Sequence, residues 1–222
     1  MKNIFIKEFI LIDFDGTIIS SNIAEYILET YSDERWRYYH DLFIEHKMSL
    51  EEILIAQYSL ITTLFKQIID ETDHLMKIRK NFSKFIDYAK DNSITIQIVS
   101  GGLDFVIRYI LEKIHVPIEI KIISVSTKQH EDLSMEVSPP ERYNTSIVDF
   151  KRDHVNHWKS DGYFVYYVGD SPSDFEASLE ANFTFSVHGT PLSSFCRENK
   201  RPFLEFNDFA EIIDYLKLKK KK

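Results

Sequence analysis

Three stretches of the 222-residue chain set carboxylates or hydroxyls beside glycine at the end of an apolar run. They are Asp13-Phe14-Asp15-Gly16-Thr17, Ser100-Gly101-Gly102 and Gly169-Asp170-Ser171-Pro172-Ser173-Asp174. Asp13 and Asp15 stand two apart, so on an extended backbone their side chains point the same way. One can attack an electrophile while the other handles a proton, and a carboxylate is a competent nucleophile toward phosphorus. Gathering Asp13, Asp15, Asp170 and Asp174 at one place is unfavourable without a cation. An all-oxygen site with few protein carboxylates suits Mg²⁺. Such an ion beside Asp13 would screen an incoming phosphate and polarise its oxygens. Ser100 and the amides of Gly101 and Gly102, where a strand enters a helix, suit anionic oxygens. Lys151, at the start of a helix, can supply fixed positive charge to a pentacoordinate phosphorus, although the adjacent Arg152 competes for that place.

These turns need elements to bring them together. Residues 9–14 form a short apolar run that reads as a buried strand. Residues 20–92 then show helical spacing with no glycine or proline. Within them Ser49-Leu50-Glu51-Glu52 is a capping box, and Leu75, Ile78, Phe82, Phe85, Ile86 and Ala89 recur at helical intervals. Beyond them strands and helices alternate. Residues 94–99 read as a strand broken by Ser100-Gly101-Gly102, and residues 103–113 as a helix. Residues 118–126 follow as a strand with Met135-Glu136-Val137 as a hairpin partner. Thr145 can cap a helix running to about Lys159. Residues 163–168 form a strand, 175–181 a helix and 183–187 a strand, and Asn207 caps a last helix. The expected fold is α/β: a doubly wound, mostly parallel, Rossmann-like sheet with helices on both faces. A parallel crossover needs only a dozen or so residues. The surplus after the first strand therefore predicts an inserted helical cap over residues 20–80, leaving 1–19 and 81–222 as the catalytic core.

Composition narrows the class. With 27 Lys+Arg against 35 Asp+Glu the net charge is −8, which argues against a general nucleic-acid binder. The single cysteine, Cys196, excludes an internal disulfide framework and fits a reducing compartment. No apolar run is long enough to span a membrane, and residues 1–9 do not read as a secretory signal, so a cytoplasmic location is expected. Only six glycines occur, and four of them, Gly16, Gly101, Gly102 and Gly169, fall in the three turns. Gly162 and Gly189 read as ordinary turns.

Taken in order, Asp13-Phe14-Asp15-Gly16-Thr17, Ser100-Gly101-Gly102, Lys151 and Gly169-Asp170-(x)₃-Asp174 resemble the four motifs of the haloacid dehalogenase-like hydrolases. In detail the chain is most similar to the phosphoserine phosphatase-like branch. Within that branch it resembles the 2-hydroxy-3-keto-5-methylthiopentenyl-1-phosphate phosphatases of methionine salvage. That closer likeness rests on Ser100-Gly101-Gly102-Leu103-Asp104-Phe105, on Gly169 through Ala177, and on Cys196-Arg197-Glu198. The resemblance implies Asp13 as nucleophile and Asp15 as general acid/base. It implies Thr17, Ser100, Gly101 and Lys151 at the phosphate. Mg²⁺ would be held by Asp13, the Asp15 carbonyl and Asp170, with Asp174 beside them. The implied partner is a small-molecule phosphate monoester. Phosphoserine phosphatases place a glutamate nine residues after the nucleophile, where this chain has Asn22, and use a cap arginine, yet none occurs between Arg37 and Arg79. Phosphoserine is therefore disfavoured. The second aspartate, Asp15, favours phosphoryl transfer over carbon–halogen cleavage.

Competing readings stand beside these. A phosphotransferase, a phosphomutase or a non-catalytic binding protein would share the core. His154 and His157 share a helix face and suggest zinc, but with no third ligand nearby a packing role is the simpler expectation. Trp36, Tyr38, Tyr39 and Phe43 line a substrate pocket or simply pack helices. Cys196 reads as a small buried side chain. Lys217, Lys219, Lys220, Lys221 and Lys222 read as a solvated end.

Overall fold

A computed structural model describes residues 7–116, 120–146 and 149–220. Its strands are β1 Glu8–Ile12, β2 Thr95–Leu103, β3 Lys121–Gln129, β4 Met135–Ser138, β5 Phe164–Gly169, β6 Phe183–Val187 and β7 Phe203–Phe206. They form one sheet in the order β4-β3-β2-β1-β5-β6-β7, parallel throughout except for the antiparallel β3–β4 pair. The chain winds outward from β1 to β2 and β3, then crosses back to β5 on the other side. The crevice where crossovers diverge therefore lies between β1 and β5. Ile12 pairs with Val168, so Asp13 and Asp170 emerge side by side at the strands' carboxyl ends.

Helices cover both faces. Helix α7 (Phe150–Ser160) stacks Trp158 on Phe9 of β1, with ring centroids 4.1 Å apart. On the opposite face α5 (Phe82–Asp91) and α10 (Phe209–Lys219) meet through Phe85 and Phe209 at 5.1 Å, and Tyr215 packs on Phe183 and Phe185. Helices α6 (Asp104–Lys113), α8 (Phe175–Glu180) and α9 (Pro191–Glu198) fill the remaining crossovers.

Between β1 and α5 the chain makes four α-helices: α1 Ile23–Tyr31, α2 Arg35–Ile44, α3 Leu50–Tyr58 and α4 Phe65–Thr72. The two ends of this insertion close on each other as a neck, where Ile19 bridges Ile78 and Arg79 N–H donates to Ile18 O at 2.8 Å. The far side is docked as well. Phe65 stacks on Phe105 at 4.0 Å, and Gln129 holds both Thr63 O and Phe65 N.

Several local expectations need correction. The strand at Ser100-Gly101-Gly102 is not broken: β2 runs on to Leu103, and these residues bulge between the Val99–Ile123 and Leu103–Val125 pairs. Helix α6 consequently begins at Asp104. The periodicity at Leu75 and Ile78 does not continue α5, which begins at Phe82; Leu75 ends a short 3₁₀ turn and Ile78 sits in the neck. Helix α7 is capped by Asp149, which accepts from Arg152 N, rather than by Thr145. Helix α10 is capped by Asp208, not Asn207. In each case a carboxylate took the cap that a neutral residue seemed to offer. The Ser49 capping box forms as expected. Strand β7 and helix α9 had no counterpart in the sequence reading. The start of the strand expected from residue 118, and Lys221 and Lys222, lie outside the described residues.

His154 takes a packing role. Trp158 Nε1–H donates to Gln97 Oε1 at 3.0 Å, Gln97 Nε2 faces His154 Nδ1 at 3.4 Å, and His154 Nε2 lies 2.9 Å from Glu141 O. A carbonyl only accepts and an amide nitrogen only donates, so this chain requires a neutral imidazole. Burial accordingly pushes the His154 pKa below its ordinary 6.5. The unfolded chain then takes up the proton first, so the contribution of His154 is complete above about pH 6.5 and lost as pH falls below it. Denaturant unfolding of wild type and His154→Gln should differ by about 1 kcal/mol at pH 7.5. The gap should narrow steadily toward pH 5.5.

Candidate active site

The three acidic or glycine-bearing turns meet at the carboxyl edge of the sheet, with Lys151 among them. Asp13 caps its own turn, accepting from Phe14 N at 2.8 Å, while its N–H donates to Val168 O of β5. The chain then reverses through Gly16 at φ +71°, and a Cβ there would overlap the Asp170 carboxylate. Only glycine allows these two motifs to approach so closely. Arg79 at the neck braces the turn from outside, donating to Gly16 O at 2.6 Å and Thr17 O at 2.8 Å. Its guanidinium also lies over Phe206.

Asp15 points its carboxylate at the first turn of α1, accepting from Ile23 N at 2.9 Å and Ala24 N at 3.3 Å. Its other oxygen faces the bulge, where a Cβ on Gly102 would come within 2.8 Å. Burial raises its pKa to about 6, against the pull of these amides and of Lys151. At Ser100 the hydroxyl oxygen accepts from Gly102 N at 3.0 Å, which leaves its own hydrogen for an acceptor in the pocket.

Lys151 is buried, and its ammonium meets Asp174 Oδ1 at 2.7 Å, Ser173 Oγ at 3.0 Å and Asp13 Oδ1 at 3.2 Å. Burial alone would depress its pKa, but Asp13 and Asp174 outweigh that and raise it well above the ordinary amine. The neighbouring Arg152 turns away to Glu176 and Glu180, so the choice between the two falls to Lys151. Asp174 is fully engaged. Its Oδ1 accepts from Lys151 and from Tyr167 OH at 2.6 Å, and its Oδ2 from Asp170 N and Ser171 N, each at 2.9 Å. Asp170 accepts from the hydroxyl of the buried Thr17 at 3.0 Å.

Oxygens of Asp13, Asp170 and Asp174 lie within 4.8 Å of one another. Burial and the neighbouring carboxylates push Asp13 well above the usual range despite Lys151, and raise Asp170 to about 7. Three carboxylates facing one ammonium fit a cation. The donor chemistry is hard oxygen, and Asp13 and Asp170 hold the uncommitted oxygens. Asp15 contributes no carboxylate to this group. His154 and His157 lie apart from it, and His157 is stacked on Tyr143.

A cavity of about 610 Å³ opens between this edge and the helical insertion. Its base includes Asp13, Asp15, Ser100, Lys151 and Asp170, and its apolar wall Leu28, Trp36, Phe43, Ile44, Leu50 and Leu54. Of the four aromatic residues weighed for this role, Trp36 and Phe43 line it, while Tyr38 and Tyr39 do not; Tyr38 is 62% exposed. Arg37, Gln57 and Tyr58 also face the cavity, and sequence reasoning missed all three, as it missed Arg79. Arg37 is paired with Glu29 at 3.0 Å and lies over the Trp36 ring. Tyr58 OH donates to Gly101 O at 3.0 Å. A signal for Tyr58 existed in its place on the apolar face of a capped helix; Arg79 carried none.

The sequence profile of the haloacid dehalogenase-like hydrolases matches residues 10–178. The chain is 24% identical over 227 residues to the polyol phosphate phosphatase PYP1 of Saccharomyces cerevisiae, covering 96% of this chain and 93% of that protein. It is 26% identical over 208 residues to a 2-hydroxy-3-keto-5-methylthiopentenyl-1-phosphate phosphatase of Bacillus mycoides, covering 92% and 94%. In fold it resembles a structure of a phospho-aspartyl intermediate analogue of phosphoserine phosphatase. The TM-score is 0.67 at 19% identity, over 94% of this chain and 98% of that one.

Arg79 gives a direct check on how the first turn is held. Arg79→Lys keeps the charge but cannot reach both carbonyls in one plane. Chemical denaturation should show a loss of about 1–2 kcal/mol. Any hydrolytic turnover should fall by roughly tenfold or more, because the Asp13 turn loses its brace.

Proposed function

The chain belongs to the haloacid dehalogenase-like hydrolases and is a phosphoric monoester hydrolase, and from that premise we propose that it is Mg²⁺-dependent and works through a phosphorylated Asp13. The observation that carries this reading is the Lys151 ammonium set between Asp13 and Asp174, beside Asp170, at the base of the pocket. Asp13 and Asp170, with the backbone carbonyl of Asp15, would hold Mg²⁺, and Asp174 would orient Lys151 and the Asp170 turn rather than ligate. When bound, the ion neutralises charge between Asp13 and the phosphate and polarises the phosphoryl oxygens.

The chain's own groups supply the remaining steps. Ser100 Oγ–H and the bulged amide of Gly101 receive phosphoryl oxygens, while Lys151 steadies the charge that develops on them. An Asp13 oxygen attacks phosphorus as the ester oxygen departs, and protonated Asp15 gives that oxygen its proton. Asp15, now ionised, takes a proton from water as the water attacks the phosphorus, returning Asp13 as a carboxylate and releasing inorganic phosphate. Asp15 at a pKa near 6 suits both duties. The amides of α1 hold it in place, so the insertion itself orients the acid. The insertion, residues 20–80, acts as the cap that excludes bulk water and selects the leaving group.

The pocket supports a neutral leaving group with an apolar part. Much of its wall is aliphatic and aromatic, Arg37 is paired with Glu29, and Glu25, His40 and Asp41 complete the polar part of that lining. Asn22 caps α1 and hydrogen-bonds Glu25, so it offers no acid for a substrate amine. This favours an ester such as 2-hydroxy-3-keto-5-methylthiopentenyl-1-phosphate, whose methylthio end is apolar, with a polyol phosphate as the second reading. We place the enzyme in the cytoplasm on its acidic charge and lone buried thiol; no helix among the described residues is long and apolar enough to cross a membrane.

A panel of phosphate monoesters assayed with Mg²⁺ and with a chelator tests the proposal. Turnover should appear only with the metal. Neutral esters with an apolar end should exceed phosphoserine in kcat/KM by about tenfold or more. Equal turnover under chelation, or a preference for phosphoserine, would contradict it.

A further inference from the structure

One buried ion has no part in the mechanism above. Glu51, the second residue of α3, is 5% exposed, and among the described residues neither of its carboxylate oxygens has a hydrogen-bond partner. A carboxylate held this way costs stability, and natural folds rarely keep one without a use. What faces it comes from the core rather than from the insertion. Arg142 Nη1 lies 3.6 Å from Oε1, and the next residues, Tyr143 and Asn144, donate their backbone N–H groups to the Asp153 carboxylate in the first turn of α7 at 2.6 and 3.2 Å. Burial and the nearby Asp149, the N-cap of α7, oppose that charge and raise the Glu51 pKa. Lys151 is the second residue of α7. The contact therefore joins the insertion to the helix that delivers the phosphate-facing ammonium.

The rest of the docking does not duplicate it. Gln129 and the Phe65–Phe105 stack hold the insertion at the start of α4, and Tyr58 reaches Gly101 from the far end of α3. Among the described residues, the ion pair that α3 makes is Glu51–Arg142, on the segment leading into α7. The attraction of Arg142 and of the helix N-terminus is offset by desolvation and by Asp149, so this joint is weakly held compared with a fully hydrogen-bonded pair.

We infer that Glu51 is a positioning residue: with Arg142 it latches the helical insertion onto the first turn of α7, keeping Lys151 aligned on Asp13 when the pocket is shut. The inference rests on reading Lys151 as the phosphate-facing cation.

Glu51→Gln preserves shape and removes the charge. Three measurements on the full chain test the latch: thermal unfolding, hydrogen exchange of peptides covering α3 and the start of α7, and kcat on an ester that wild type hydrolyses. The expected pattern is a melting temperature equal to or above wild type, faster exchange in both peptides, and kcat lower by about tenfold. Arg142→Gln should lower kcat comparably, and the double variant should be no worse than the poorer single one. Unchanged exchange and kcat would overturn the inference, as would a kcat loss that merely follows a lower melting temperature. The exchange and melting results do not depend on turnover. If wild type hydrolysed no phosphate ester, the phosphatase reading would fail, while faster exchange at undiminished stability would still support the latch.

Discussion

Much of this structure depends on one crowded contact, the buried Lys151 ammonium pressed between Asp13 and Asp174. Three carboxylates share the space around it, and their repulsion is the cost of assembling the site. The fold meets that cost with backbone. Asp174 is tied down by two amides and the Tyr167 hydroxyl, and Asp170 is held by Thr17. What remains uncommitted is a pair of oxygens on Asp13 and Asp170, hard donors of the kind a cation would use. Removing Lys151 would take away the buried ammonium that meets Asp13 and Asp174 directly.

The sheet exists to make that contact possible. Register between β1 and β5 brings Asp13 level with Gly169, and the bulge in β2 turns Ser100 and Gly101 toward the same point. The helical insertion closes the opposite side. Because Asp15 accepts from the first amides of α1, and Tyr58 donates to Gly101, the insertion grips both the Asp15 carboxylate and the bulged turn of β2. Pocket closure and alignment of the reacting groups are thus parts of one arrangement.

Much of this was legible in the sequence. The four motifs, the parallel sheet and the long helical surplus after β1 follow from residue types, strand length and the spacing of apolar positions. The limits are equally physical. Whether Lys151 or Arg152 faced the site could not be read from adjacent residues; it was decided by Glu176 and Glu180 of the following crossover drawing Arg152 outward. The contact of the Thr17 hydroxyl with Asp170, 153 positions away, was equally unreadable from the motif. Arg79 is distant from every motif in sequence and reaches Gly16 and Thr17 only because the neck closes at Ile19 and Ile78. Glu51 looked like one more acidic residue in the first turn of a helix. Such roles arise from contacts between segments, which no local pattern records.

The central claim is that Asp13 accepts the phosphoryl group. Acid-quenching the wild-type enzyme during turnover of a phosphate monoester, then mapping the modified peptide by mass spectrometry, tests this most directly. The expected result is one phosphoryl group on the peptide containing Asp13, located at that residue and absent from Asp13→Asn, which should also lose turnover. Sustained hydrolysis by Asp13→Asn, or phosphoryl transfer to a different residue, would contradict the account.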